Sequence, residues 1–95
     1  MKICVTLNLL GVRPFDLREE TMLFELASPP TLGQVIDLVD QRNPGFGPVA
    51  VDAVGRLSRQ FAVLVNGINA YSNGGTAVIL ADGDIVNIIP AIAGG

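Results

Sequence analysis

Across Ser28-Pro29-Pro30-Thr31 the hydrophobic rhythm of this chain changes period, and the change restricts it to a mixed architecture. Before the break, apolar and other residues alternate. From Lys2 to Leu10, Ile3, Val5, Leu7 and Leu9 fall on one side and Cys4, Thr6 and Asn8 on the other; from Glu20 to Ala27, Met22, Phe24 and Leu26 alternate with Thr21, Leu23 and Glu25. A period of two belongs to a strand with one buried face. The turn-rich stretch Gly11 to Asp16, with Pro14, makes the pair a hairpin. After the break, Leu32, Val35, Ile36 and Val39 recur at i, i+3, i+4 and i+7, the apolar face of a helix. Thr31 and Gln34 have the spacing of a capping box, in which each side chain satisfies a free amide at the helix start. Asp37, Asp40 and Gln41 take the wet face, and Asn43-Pro44-Gly45 ends the helix. The prolines cannot donate to a sheet ladder, so they fix where strand gives way to helix.

Residues 44 to 60 read as an irregular connection rich in Gly and Pro, with a short helical turn expected around Val51 to Leu57. Phe61 to Val65 is a third strand, followed by the turn dipeptide Asn66-Gly67. Ala77 to Leu80 is a short extended piece, and Ala81-Asp82-Gly83-Asp84 is a tight turn. Ile85 to Ile89, dense in β-branched residues, is the last strand, ended by Pro90. The sum is an α+β layer architecture, one main helix packed across a mixed sheet of four or five strands. No internal repeat or low-complexity tract occurs.

Size and charge exclude several classes of function. At 95 residues, 49% of them hydrophobic and 16% charged, the chain has room for a single core and little surplus for a separate active-site module. The formal net charge is -3; Lys2 is the only lysine, and Arg13, Arg18, Arg42, Arg56 and Arg59 are scattered. Nucleic acid is therefore not expected as a partner, and a mildly acidic surface suits a basic protein better. No run approaches the roughly 20 apolar residues of a membrane span, and no signal-peptide pattern opens the chain, so a cytoplasmic protein without a membrane partner is expected. The single cysteine, Cys4, permits no internal disulfide.

The sequence closes on Ile92-Ala93-Gly94-Gly95. A terminal diglycine carries a main-chain carboxylate on a segment without Cβ atoms, which can adopt backbone angles closed to other residues and thread a narrow channel. Two glycines at a fixed site arise by chance about 0.5% of the time at roughly 7% glycine per position. The domain is expected to occupy residues 1–90, with 91–95 a flexible tail. Six residues from Pro90 to Gly95 span about 20 Å when extended at roughly 3.3–3.6 Å each. Ordering them costs on the order of 6–12 kcal/mol, at 1–2 per residue. Burying Ile92 returns only about 1.5–3 kcal/mol. A surface of the folded domain must therefore dock as well, and the sheet face that a single helix leaves uncovered is the natural one.

With these elements in place the chain resembles the MoaD/ThiS family of ubiquitin-like sulfur carriers. The likeness rests on Val65-Asn66-Gly67, on Leu80-Ala81-Asp82-Gly83-Asp84 and on Ile88-Ile89-Pro90-Ala91-Ile92-Ala93-Gly94-Gly95, with the tail set directly after the last strand. The tail looks most like the small subunit of molybdopterin synthase, and also like the sulfur carrier of a cysteine-forming pathway. Where molybdopterin-type carriers commonly have paired aromatics and Pro-Pro, this chain has Ile88-Ile89 and Pro90-Ala91.

The resemblance implies a β-grasp, ubiquitin-like roll with the last strand beside the first. It implies a carrier or co-substrate, not an enzyme in its own right, acting at the Gly95 carboxylate. A partner E1-like adenylating enzyme would activate that carboxylate with ATP and magnesium, and persulfide sulfur would then displace AMP and leave a thiocarboxylate. The expected partners are that enzyme, a persulfide sulfur donor and the large subunit of a sulfur-accepting synthase. The carrier itself would bind no cofactor or metal. Gly94, Ala93 and Ile92 would thread the partner, and Ile88 or Ile89 would dock it, the sequence leaving open which of the two faces outward. Molybdopterin formation is the leading destination; cysteine, thiamin and tRNA thiolation are the alternatives. A modifier joined to lysines through Gly95 would use the same activated tail, and a plain β-grasp binding module would use none of it.

The remaining candidates read as structure. Cys4 is a small apolar strand residue rather than a nucleophile. Asp82 and Asp84 flank Gly83 as turn residues rather than as a metal or acid–base pair. Asn73-Gly74-Gly75 lacks the lysine and following helix of a phosphate loop and reads as a turn. Tyr71, which could dock a partner, is expected to be a half-buried loop residue.

Overall fold

β1 (Lys2–Asn8) and β2 (Glu19–Glu25) pair antiparallel, with Ile3 opposite Phe24 and Val5 opposite Met22. The structure, a computed structural model, describes residues 1–8, 19–72 and 74–90. The expected turn at Gly11–Asp16, Leu9, Leu10, Asn73 and the tail at 91–95 lie outside those residues. α1 (Leu32–Arg42) and the short α2 (Phe46–Ala50) follow, then β3 (Phe61–Val65), β4 (Ile68–Asn69) and β5 (Ile85–Pro90). The sheet order is β2-β1-β5-β3-β4. β5 lies parallel to β1 and antiparallel to β3, which gives the mixed sheet of the β-grasp roll.

α1 starts where its capping box requires. The Thr31 hydroxyl accepts from the Gln34 amide at 3.1 Å, and the Gln34 side chain accepts from the Thr31 amide at 2.8 Å. Leu32, Val35, Ile36 and Val39 are buried against Ile3, Val5, Leu7, Met22, Phe24, Val63, Val86 and Ile88, so both periodicities converge on one core. Phe46 from α2 closes it, meeting Phe61 edge-on with ring centroids 5.5 Å apart.

Between residues 44 and 80 the chain departs from expectation. The helical turn lies at Phe46–Ala50, not at 51–57. Pro48 falls in its first turn, where a missing amide does no harm. Asp40, expected to face water, accepts from the amides of Gly45 (3.1 Å) and Gly47 (2.8 Å) and so fixes the approach to α2. Residues 51–57 instead form a small loop closed by a Val51–Leu57 bridge. Asp52 Oδ1 accepts from the Val54 and Arg56 amides, and Gly55 takes φ 84, so aspartate and glycine turn chemistry fixes a loop here rather than a helical turn. The extended piece at 77–80 is not a strand of the sheet. Gly75–Ala77 is a 3-10 turn, and Ile79 bridges Thr31 beside the helix start. The fifth strand is the two-residue β4, whose residues are exposed and too few to show a period.

Candidate functional site

β5 sits between β1 and β3 in the sheet, and it leads directly into residues 91–95. Its alternation is strict: Val86 and Ile88 point into the core, while Ile85, Asn87 and Ile89 lie on the face away from α1. Which of the two isoleucines faces outward is therefore settled. Ile88 is 0% exposed and cannot dock anything, a correction dictated by the period of two; Ile89 is 38% exposed and can. Pro90 belongs to the strand rather than ending it, opposite Phe61 of β3.

Two of the three stretches that carry the resemblance, Val65-Asn66-Gly67 and Leu80-Ala81-Asp82-Gly83-Asp84, meet at the other end of β5. Asn66 holds a left-handed φ of 51 in the turn after β3. Its amide side chain donates to Asp84 Oδ1 at 2.8 Å, and its carbonyl oxygen accepts from the Ile85 amide at 2.9 Å. Asp84 Oδ2 accepts from the Ala81 amide at 2.7 Å, and Asp82 Oδ1 accepts from the Lys2 amide at 2.7 Å. The Gly83 amide donates to the Lys2 carbonyl at 2.8 Å, with Gly83 at φ 86. The aspartates are turn residues, as expected, and their work is to register the start of β5 against β1 and β3. Among the described residues no group of three or more His, Cys, Asp or Glu gathers to hold a metal.

The open sheet face carries an apolar band. Leu23, Cys4 and Ile85 lie in one cross-strand row, and Ile89 and Ala62 form a pair further along β5. Leu23 is 55% and Ile85 46% exposed, large apolar surface for positions that pack on nothing described. Neither was singled out from sequence. For Leu23 the signal was present, an apolar residue at an outward position of an alternating strand; the unbroken apolar run of β5 offered none for Ile85. Cys4 is half-buried within the band.

At the Pro90 end, Tyr71 is half-buried and its hydroxyl donates to the Phe61 carbonyl at 2.9 Å. Burial pushes its phenol pKa up, partly countered by Arg59, whose guanidinium lies 5.9 Å from the ring centre. The amide of Arg56, donating to Asp52, is the main cause of a depressed Asp52 carboxyl pKa, with the Val54 amide and the Arg56 charge adding to it. The residues expected to carry the chemistry, Gly95 with Gly94, Ala93 and Ile92, lie outside the described residues.

No helix among the described residues is long and apolar enough to cross a membrane. The sequence matches the ThiS family over residues 14–95. Sulfur carrier protein CysO of Mycobacterium tuberculosis is 39% identical over 71 residues, 73% of this chain and 76% of that one. A crystal structure of Mycobacterium tuberculosis CysO, described as an antigen, superposes with a TM-score of 0.69 at 32% identity, covering 93% of this chain and 99% of that one. CysO of Amycolatopsis orientalis, crystallised in complex with BexX, gives a TM-score of 0.70 at 30% identity over 96% and 99% of the two chains. SAMP1 of Haloferax volcanii gives 0.69 at 18% identity over 100% of both, a likeness of fold alone. The sheet order and the match running through Gly95 agree: the chain belongs to the ThiS family, as a small ubiquitin-like sulfur carrier.

Proposed function

We propose that the Gly95 carboxylate is the sulfur-bearing group. The observation that carries this reading is the family match extending through residue 95, the diglycine included. A carboxylate, ionised at pH 7 with a pKa near 3.5, is a poor electrophile, so it needs activation. In a partner adenylating enzyme using ATP and magnesium, the carboxylate oxygen attacks the α-phosphorus and pyrophosphate leaves. A persulfide sulfur then attacks the acyl carbon and expels AMP, giving an acyl disulfide; a second thiol attacks the donor cysteine's sulfur, forms a disulfide with it and releases the thiocarboxylate.

The folded domain supplies the docking energy that the tail lacks. Ile89, Ile85 and Leu23 form the apolar surface laid on the partner, and Ile92, Ala93 and Gly94 carry the carboxylate into its channel. Of the expected destinations, cysteine formation has support at the level of sequence, since the carriers at 39% identity are CysO proteins. Molybdopterin formation, the leading expectation from the tail, has no comparable support. ATP–pyrophosphate exchange catalysed by the adenylating enzyme of the same organism tests the reading. Exchange must depend on this protein and must vanish when Gly95 is deleted.

A further inference from the structure

The arginines scatter in sequence, but the fold brings two of them to one place. Arg56 and Arg59 border an open hollow of about 660 Å³, with Ser58, Tyr71, Gly74 and Thr76 among its other walls. Arg56 already shares its charge with Asp52, Nε to Oδ2 at 3.6 Å. Arg59 is exposed and makes no ion pair with a carboxylate among the described residues; the Tyr71 ring lies beneath its guanidinium. The hollow adjoins the root of the tail. Tyr71 is tied to the Phe61 carbonyl, and Phe61 is the register partner of Pro90. A partner that takes in residues 91–95 must pass its surface close to Arg59.

We propose that this hollow docks a carboxylate-bearing segment, Asp or Glu side chains, of the protein that receives the tail; the proposal rests on the carrier reading above. Charge complementarity favours carboxylates, because Arg59 has no carboxylate partner among the described residues and stands exposed. A protein surface is favoured over a free small anion for a physical reason. Exposed ion pairs in water contribute only about 0–1 kcal/mol, so an open hollow holds a lone anion weakly. Once a partner covers it, water leaves and the guanidinium, already oriented by Tyr71, engages a carboxylate with both nitrogens. The site would set the direction in which the tail enters, while the apolar band supplies affinity. The expected preference for a basic partner thus has a local exception at the tail root.

The test compares Arg59→Glu, Arg59→Gln and wild type in association with the adenylating enzyme of the same organism, at low and high salt. Arg42→Glu, exposed at the end of α1 over the Phe24 ring of edge strand β2, is the control for an equal change in net charge. Arg59→Glu should slow association about tenfold or more at low salt and much less at high salt, as electrostatic docking does. Arg59→Gln should fall between it and wild type, and Arg42→Glu should stay within about threefold of wild type. Melting temperatures of the variants establish that the Tyr71 packing survives. Adding millimolar inorganic phosphate at constant ionic strength should leave wild-type association unchanged; inhibition would point to a small-anion site and overturn the protein-docking claim. An Arg59→Glu protein that behaves like Arg42→Glu, or a defect independent of salt, overturns the docking site while leaving the carrier reading intact. Absence of wild-type adenylation overturns both.

Discussion

Ile88 and Ile89 are neighbours in sequence and face opposite sides of the sheet, Ile88 0% and Ile89 38% exposed. Their substitutions should separate stability from docking. Ile88→Ala opens a cavity in the core and should cost about 2–5 kcal/mol of folding stability. Ile89→Ala should leave the melting temperature near that of wild type yet weaken binding to the adenylating enzyme by roughly 2–4 kcal/mol, the loss of a hot-spot residue. Denaturant unfolding and titration calorimetry read the two effects independently.

The Asn66–Asp84 clasp makes a second prediction. Asn66→Ala removes both side-chain bonds and leaves an alanine at φ 51, whereas Asn66→Gly removes the bonds but accepts the backbone angle. Asn66→Gly should therefore lose about 1–3 kcal/mol for two hydrogen bonds, and Asn66→Ala more. Urea denaturation of the pair checks the order. Equal losses would mean that the left-handed angle carries no strain for alanine here.

Asp52 gives a pH dependence with a defined sign. Its folded-state pKa lies below the ordinary value because the Arg56 amide, chiefly, binds the ionised form. The stabilisation is thus present above the unfolded carboxylate pKa, near 4, and is lost as pH falls through the lower folded value. Asp52→Asn should be less stable than wild type at neutral pH. The difference should shrink as the pH is taken below about 4, measured by thermal unfolding across that window.

At the tail, binding and chemistry should come apart. Gly94→Phe should leave partner affinity nearly unchanged while blocking ATP–pyrophosphate exchange, since a side chain there obstructs a channel shaped for bare backbone. Ile89→Ala should do the reverse. Equal damage to binding by both would show that the tail contributes more affinity than its ordering cost allows.

Much of this was legible in sequence because the signals were local and repeated. The period of two in β1 and β2, the capping box at Thr31 and Gln34 and the apolar stripe of α1 each appear in the structure at or near the expected bounds. The region from 44 to 80 was less legible, and the reasons are physical. Asp52 and Gly55 impose a loop turn on the stretch where a short helical turn was expected. β4 has two residues, below any period. Ile79 bridges Thr31, a contact with no sequence signature. The site divides in the same way. The clasp residues announced themselves as turns, but the meeting of Arg56, Arg59 and Tyr71 at the root of the tail exists only in three dimensions.

The most direct test of the central claim is the intact mass of the protein purified from its native host without reductive workup. The account predicts a species heavier by the replacement of one oxygen with sulfur, localised by fragmentation to Gly95 and absent after deletion of that residue. Unmodified protein throughout, or larger adducts at Gly95 that survive thiol treatment, would contradict it.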